Sequence, residues 1–202
     1  MTAIPTAVLV SGGGTNLQAL IDAERAGKMP HVRLCAVISS QKEAYALTRA
    51  AQNGIPAYIA PRKGASQEAF EKQLLSYLEE SKAQLIILAG FMSILSKEFV
   101  SRYPRRILNV HPALLPAFGG KGFYGLKVHE AALARGVKIT GATVHYVNEI
   151  ADGGEILLQK AVAVEPGDTP QLLQRRVMEQ AEWLLLPQAA EMAAQSLLEA
   201  NE

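Results

Sequence analysis

The sequence predicts an α/β fold: a mainly parallel sheet flanked by helices, with an antiparallel hairpin at one edge. Three observations carry this. Through the first two thirds of the chain, short apolar runs alternate with segments of helical spacing, the pattern of a parallel sheet with crossover helices. Beyond Gly136 the period changes, and two runs, Ile139–Val147 and Glu155–Val164, flank a turn at Ala151-Asp152-Gly153-Gly154. No linker, low-complexity run or internal repeat interrupts the pattern, so residues 1–202 are read as one domain closed by a C-terminal helix over 170–199.

The elements follow in order. Ala7-Val8-Leu9-Val10 is a continuous apolar run, as a strand buried on both faces requires. It leads into Ser11-Gly12-Gly13-Gly14-Thr15-Asn16, after which Leu17, Leu20 and Ile21 have helical spacing and Gly27 is a stop. Val32–Ile38 is a strand. Lys42–Gln52 is a helix ended by Asn53-Gly54, a left-handed cap signal. Pro56–Ala60 is a short strand. Ser66 caps a helix with Glu68 in its first turn and Phe70, Leu74, Tyr77 and Leu78 on its apolar face. Gln84–Ala89 is the most hydrophobic strand and is expected at the centre. Ser96–Tyr103 is a short helix stopped by Pro104.

Ile107–His111 is a buried strand, ended by Pro112, which has no N–H for the ladder. Residues 117–125 are too rich in glycine for regular structure. Leu126–Ala134 is a helix capped by Gly136. Thr169-Pro170 starts the last helix, with Pro170 at its first position. Leu172, Leu173, Val177 and Leu184–Leu186 lie along it, and Pro187 is expected to break or kink it.

Composition excludes several classes. The chain has 20 basic and 19 acidic residues and a net charge of +1, with no basic stripe, so no nucleic-acid partner is expected. The lone cysteine, Cys35, lies in an apolar run and reads as a core residue in a reducing compartment. The N-terminal stretch lacks the basic region of a signal peptide, and no apolar run has membrane-spanning length. The expectation is a cytoplasmic protein acting on small molecules, with no membrane partner. A homodimer is compatible with the sequence.

Two candidate sites stand out. A strand followed by Gly12-Gly13-Gly14-Thr15-Asn16 and a helix presents backbone N–H groups to an anion at a helix N-terminus. No Lys-Ser/Thr follows, so this is no triphosphate loop. Leu17 stands where a dinucleotide fingerprint needs glycine or alanine, and Ser39-Ser40-Gln41 lacks its acid, so a monophosphate ester fits better than NAD.

The second site is Asn109, His111 and Asp152. Alternation along the strand puts Asn109 and His111 on one face, roughly 6–7 Å apart. An amide donor can stabilise an oxyanion, an imidazole can move a proton, and a carboxylate favours the imidazolium. No serine sits in a nucleophile elbow and Cys35 reads as buried, so direct attack by a substrate amine fits better than an acyl-enzyme. His145 shares a face with Thr143 and either lines this cleft or satisfies a buried polar network. His129 is expected to be partly exposed, and His31 lies near a turn. No pair has metal-ligand spacing, so no metal is expected.

Taken together, VSGGGTNLQAL, LAGFMSILS, ILNVHPALLPAF, GATVHYVNEIADGGEILLQ and the helix with Glu182 and Pro187 resemble the phosphoribosylglycinamide formyltransferases. The likeness runs from Val8 to about Pro187. It implies a Rossmann-like formyltransferase fold and transfer of the formyl group of 10-formyltetrahydrofolate, as co-substrate, to the amine of 5'-phosphoribosylglycinamide. By that resemblance, Asn109 and protonated His111 hold the oxyanion and Asp152 assists. Gly12, Gly13, Gly14, Thr15 and Asn16 hold the phosphate, and Glu182 the ribose. Phe91, Met92, Ile94, Leu95 and Val100, with Ile150 and Ala151, line the folate pocket.

There are departures from the family pattern. Ser93 and Gln67 stand where many members carry arginine near the folate, and Arg62, Lys63 or Lys121 can compensate. Trp183 stands where a histidine commonly follows the glutamate.

Four other readings share part of the pattern. Methionyl-tRNA formyltransferase is expected to carry a further C-terminal domain, and formyltetrahydrofolate hydrolase an N-terminal one. A sugar-nucleotide N-formyltransferase is argued against by the monophosphate-type loop. A non-catalytic sugar-phosphate binding protein has no need of Asn109, His111 and Asp152 together.

Overall fold

The computed structural model describes residues 3–200. Met1 and Thr2 of the N-terminal stretch, and Asn201 and Glu202, lie outside the described residues. Seven strands form one sheet in the order β3-β2-β1-β4-β5-β6-β7. They are β1 (Ile4–Val10), β2 (Val32–Ser39), β3 (Ala57–Ile59), β4 (Leu85–Leu88), β5 (Ile107–His111), β6 (Ile139–Tyr146) and β7 (Ile156–Ala163). The first five are parallel, and β6 and β7 run antiparallel at the edge. The expected fold class is observed. β4 is the middle strand and all of its residues are buried, as its unbroken apolar run requires.

Strand alternation divides the core into two layers. Val8, Val10, Ile87, Leu108 and Val110 face one side, where they meet α1 (Thr15–Arg25), α2 (Tyr45–Gln52), α5 (Leu126–Arg135), α6 (Pro170–Val177) and α7 (Trp183–Glu199). Ala7, Leu9, Ile86, Leu88 and Ile107 face the other, against Phe70, Leu74 and Leu78 of α3 (Gln67–Glu80) and Phe99 of α4 (Lys97–Ser101). Ser66 and Ser96 cap α3 and α4, their side-chain oxygens accepting from Ala69 and Phe99 N–H at 3.1 Å. Thr169 caps α6, with Pro170 at its first position. No helix among the described residues is long and apolar enough to cross a membrane.

Three local expectations are corrected. α2 starts at Tyr45 rather than Lys42, because the Ala46 amide is drawn to the Gly12 carbonyl at 3.1 Å and the preceding residues turn to deliver it. The C-terminal helix is interrupted before Pro187, not at it: Met178–Glu182 form a π-helical turn, and α7 continues through the proline. His129 is fully buried on α5, and burial holds its imidazole down to about 4.

The antiparallel edge depends on Gly141. A Cβ there would lie 2.0 Å from the Lys160 carbonyl oxygen of β7 and 2.9 Å from Leu114 Cδ2. Because the nearer atom is backbone within a paired strand, Gly141→Ala is expected to lower stability by about 2–4 kcal/mol. A urea midpoint equal to that of the parent would contradict the packing described.

Candidate active site

The carboxyl ends of β1, β4 and β5 open on one crevice, where the order steps from β1 to β4 and ligands of open α/β sheets bind. The Ser11 hydroxyl after β1 accepts from the Met92 N–H after β4 at 2.9 Å and lies 2.6 Å from the Ser40 hydroxyl after β2. These contacts join the loops into one rim.

On β5, Asn109 and His111 share the face of Ile107, as alternation requires. Antiparallel pairing sets Asn109 opposite His145 and His111 opposite Thr143. Thr143 Oγ1 donates to the Ala113 carbonyl at 2.7 Å and accepts from the Leu115 N–H at 3.0 Å. That pins the segment after Pro112 across the strand end. The connection from β6 to β7 then folds back over β5 and brings in Asp152.

Asp152 closes the site. One oxygen accepts from the Gly120 N–H at 2.8 Å and lies 3.5 Å from His111 Nδ1. The other lies 3.4 Å from Asn109 Nδ2 and 3.6 Å from His145 Nε2. Its backbone is left-handed, with φ 55°. Gly154 makes the turn possible, since a Cβ there would fall 1.7 Å from the Tyr146 carbonyl oxygen.

Carbonyl partners assign the ring protons. His145 Nδ1 meets the Tyr146 carbonyl at 2.9 Å, so Nδ1 carries hydrogen and Nε2 accepts from Asn109 Nδ2 at 3.1 Å. His145 therefore orients the Asn109 amide. His111 Nε2 donates to the Phe118 carbonyl at 2.8 Å, which leaves Nδ1 facing Asp152. Burial pushes the His111 imidazole below its usual value, and the Asp152 charge offsets this only in part. The sequence reading expects the carboxylate to favour the imidazolium; desolvation outweighs it in the resting site. Burial would raise the Asp152 carboxyl, but the polar groups around it, His145, the Gly120 N–H and His111, together hold it below the ordinary carboxylate range.

The glycine loop lies at the start of α1. Only Gly14 has a left-handed φ, 72°, and a Cβ there would meet Ala46 Cβ at 2.7 Å. At Gly12 and Gly13 a Cβ would meet nothing within 4 Å, so the protein's own packing does not require glycine there. No side chain caps α1, and its first-turn amides have no carbonyl inside the helix. Asn16 Nδ2 donates to Glu182 Oε2 at 2.7 Å, tying this loop to the π-turn of the last helical run. Burial pushes the Glu182 carboxyl up to about 7, against the lowering effect of Asn16.

Beside Asn109 and Asp152 lies a cavity of about 120 Å³, walled by Leu88, Phe91, Ile94, Leu95 and Val147 and by the 148–152 segment. Its wall is held from behind by Glu71, a buried carboxylate that accepts from Ser96 N, Ser96 Oγ and Gln67 Nε2, each at 2.6 Å.

The sequence matches the formyl transferase family over residues 5–189. The chain belongs to that family. It is 41% identical over 175 residues to a phosphoribosylglycinamide formyltransferase of Haemophilus influenzae, spanning 86% of this chain and 80% of that one. It is 40% identical over 174 residues to a chloroplastic phosphoribosylglycinamide formyltransferase of Arabidopsis thaliana, spanning 85% of this chain and 59% of that protein. The formyltransferase fold is shared with glycinamide ribonucleotide transformylase 1 from Symbiobacterium toebii, at a TM-score of 0.89 and 39% identity, covering 96% of this chain and 89% of that one.

Within this family member, Asn109, His111 and Asp152 converge, and so do Asn16 and Glu182. Phe91, Ile94, Leu95, Ile150 and Ala151 line the apolar cavity; Met92 and Val100 do not. Met92 lines the neighbouring cleft beside Lys42 and Arg62, and Val100 is buried on α4 in the core layer that holds Leu88 and Ile107. His145 joins the site more closely than its weak sequence signal suggests. The signal that finds it is the pairing register of β5 with β6.

The buried Glu182 gives a pH test. Its value rises from 4.5 to about 7 on folding, so between those limits the folded chain holds a proton the unfolded chain has released, and stability falls as pH rises through that window. Glu182→Gln removes this dependence. Relative to the parent, the variant is expected to gain about 3 kcal/mol between pH 4.5 and 8, read from denaturant curves. A difference that stays constant with pH would count against the buried carboxyl.

Proposed function

We propose that this formyltransferase moves the formyl group of 10-formyltetrahydrofolate to the primary amine of 5'-phosphoribosylglycinamide, a step of purine synthesis. The observation that carries the reading is the Asn109–His111–Asp152 cluster beside an apolar cavity, in one crevice with a glycine loop open to an anion. The relatives carry this activity in their names. The folate ring enters the apolar cavity. The phosphate meets the amides of Gly12–Asn16, and Glu182, held by Asn16, accepts from the ribose hydroxyls.

The amine attacks the formyl carbon, and charge develops on the formyl oxygen. Asn109 Nδ2 donates to that oxygen, its amide oriented by His145. His111 Nε2–H exchanges the Phe118 carbonyl for the same oxygen. The adduct's surplus amine proton passes, through water, to His111 Nδ1, where Asp152 stabilises the imidazolium. The proton then moves to the folate nitrogen as its bond to carbon breaks, giving the N-formyl product and tetrahydrofolate. A burial-depressed imidazole suits the accepting half of this cycle, and a nearby carboxylate suits the holding half.

Two experiments test this. In a formyl-transfer assay with the two named substrates, Asn109→Ala and His111→Ala are expected to lose about two or more orders of magnitude in turnover, with Asp152→Asn also impaired. Near-normal turnover in the first two would remove the mechanism. Separately, inorganic phosphate or sulfate soaked into crystals is expected against the Gly12–Thr15 amides. An ester phosphate bound elsewhere while that loop stays empty would overturn the cradle assignment.

A further inference from the structure

Donors on α2 hold the carbonyls of the glycine loop. The Gly12 carbonyl accepts from the Ala46 N–H in the first turn of that helix at 3.1 Å, and the Gly13 carbonyl accepts from Arg49 Nε at 2.9 Å. Both peptides are trans, and in a trans peptide the carbonyl and the following N–H point in opposite directions. Fixing these carbonyls toward α2 therefore aims the amides of Gly13 and Gly14 away from it. Among the described residues, neither amide meets a protein acceptor.

Arg49 is the cation of this frame. Its Nη1 donates to Gln18 Oε1 at 3.0 Å, and its guanidinium carbon stands 5.1 Å from the centroid of the Tyr45 ring. Its Cδ packs so closely under the loop that a Cβ at Gly14 would lie 3.4 Å from it. Gln18 in turn donates to Asp22 Oδ1 at 2.9 Å, so an amide stands between the guanidinium and that acid. No carboxylate lies within ion-pair distance of Arg49 among the described residues. The charge acts on the loop instead. A cation bonded to the Gly13 carbonyl polarises that peptide and makes its N–H, on Gly14, a stronger donor. It also brings positive charge to residues 11–16, which hold no lysine or arginine of their own.

We propose that Arg49 is a positioning residue for the substrate phosphate: it bonds the back of the loop rather than the ligand, and sets the direction and the strength of the Gly13 and Gly14 amides. The proposal rests on the phosphate reading above. It assigns to α2, an element outside the crevice, part of the preference for a phosphorylated substrate.

Two readouts on the full chain test it: equilibrium binding of ribose 5-phosphate and ribose, and steady-state formyl transfer to phosphoribosylglycinamide and to its dephosphorylated counterpart. Arg49→Gln, which removes the charge, is expected to weaken ribose 5-phosphate about tenfold. KM for phosphoribosylglycinamide rises by a similar factor while kcat changes far less, and kcat/KM for the dephosphorylated substrate stays at the parent value. Arg49→Lys, which keeps the charge without the guanidinium geometry, recovers part of the loss. Unchanged ribose 5-phosphate affinity in Arg49→Gln would overturn the proposal. So would an equal loss with the dephosphorylated substrate, since Arg49 would then serve only the packing of α2. A parent that binds ribose 5-phosphate no better than ribose sinks the proposal together with the cradle. A parent that shows that preference yet formylates neither substrate fails the transfer reading alone, and the binding arm then decides the role of Arg49.

Discussion

The part-buried carboxylate of Asp152 is the constraint the active site is built around. A carboxylate taken from water without compensation costs several kcal/mol. Here its neighbours come from three separate stretches: the Gly120 N–H of the glycine-rich segment and the Asn109 amide of β5 donate to it, and the imidazoles of β5 and β6 stand beside it. Asp152 also sits in a left-handed conformation that a non-glycine residue adopts at a cost of about 1 kcal/mol or more. The turn therefore closes only over a complete set of partners. The same set carries the proposed chemistry, so order in the turn and competence of the proposed site are one condition.

A comparable coupling joins the ends of the chain. Asn16 in the first helix holds Glu182, which a π-helical turn delivers from the last. Such turns break the regular hydrogen-bond ladder and recur at functional sites. The resulting carboxyl is buried and bonded to Asn16, so the proposed phosphate cradle and its neighbouring acceptor are set by packing of α1 against the C-terminal helices rather than by the loop itself. On the far side of the crevice, Glu71 does similar work. Its three donors tie α3 to the start of α4 and hold the intervening segment as a wall.

Much of this was legible in the chain. The alternation of strand and helix, the hairpin, the caps at Ser66 and Thr169, and the shared face of Asn109 and His111 all follow from local periods and local stereochemistry. The order strand, glycine loop, helix is what makes residues 12–16 a proposed anion site, and the residues that do not follow it narrow the proposed guest to a monophosphate. The family resemblance added Glu182 and the cavity residues, which periodicity alone reads as a solvated face and plain core. His129 was misread, since a histidine on an amphipathic helix carries no local mark of the neighbours that will cover it.

What the sequence determined by itself is the set of elements and which side chains share a face, since these depend on backbone geometry within a few residues. Tertiary structure decided which faces meet. The register of β5 against β6 sets His145 beside Asn109, and a slip of one residue would turn it away. Tertiary structure also decided the charge states. His111 is depressed and Glu182 raised because desolvation outweighs their partners, and desolvation depends on everything packed around a group, not on its neighbours in the chain.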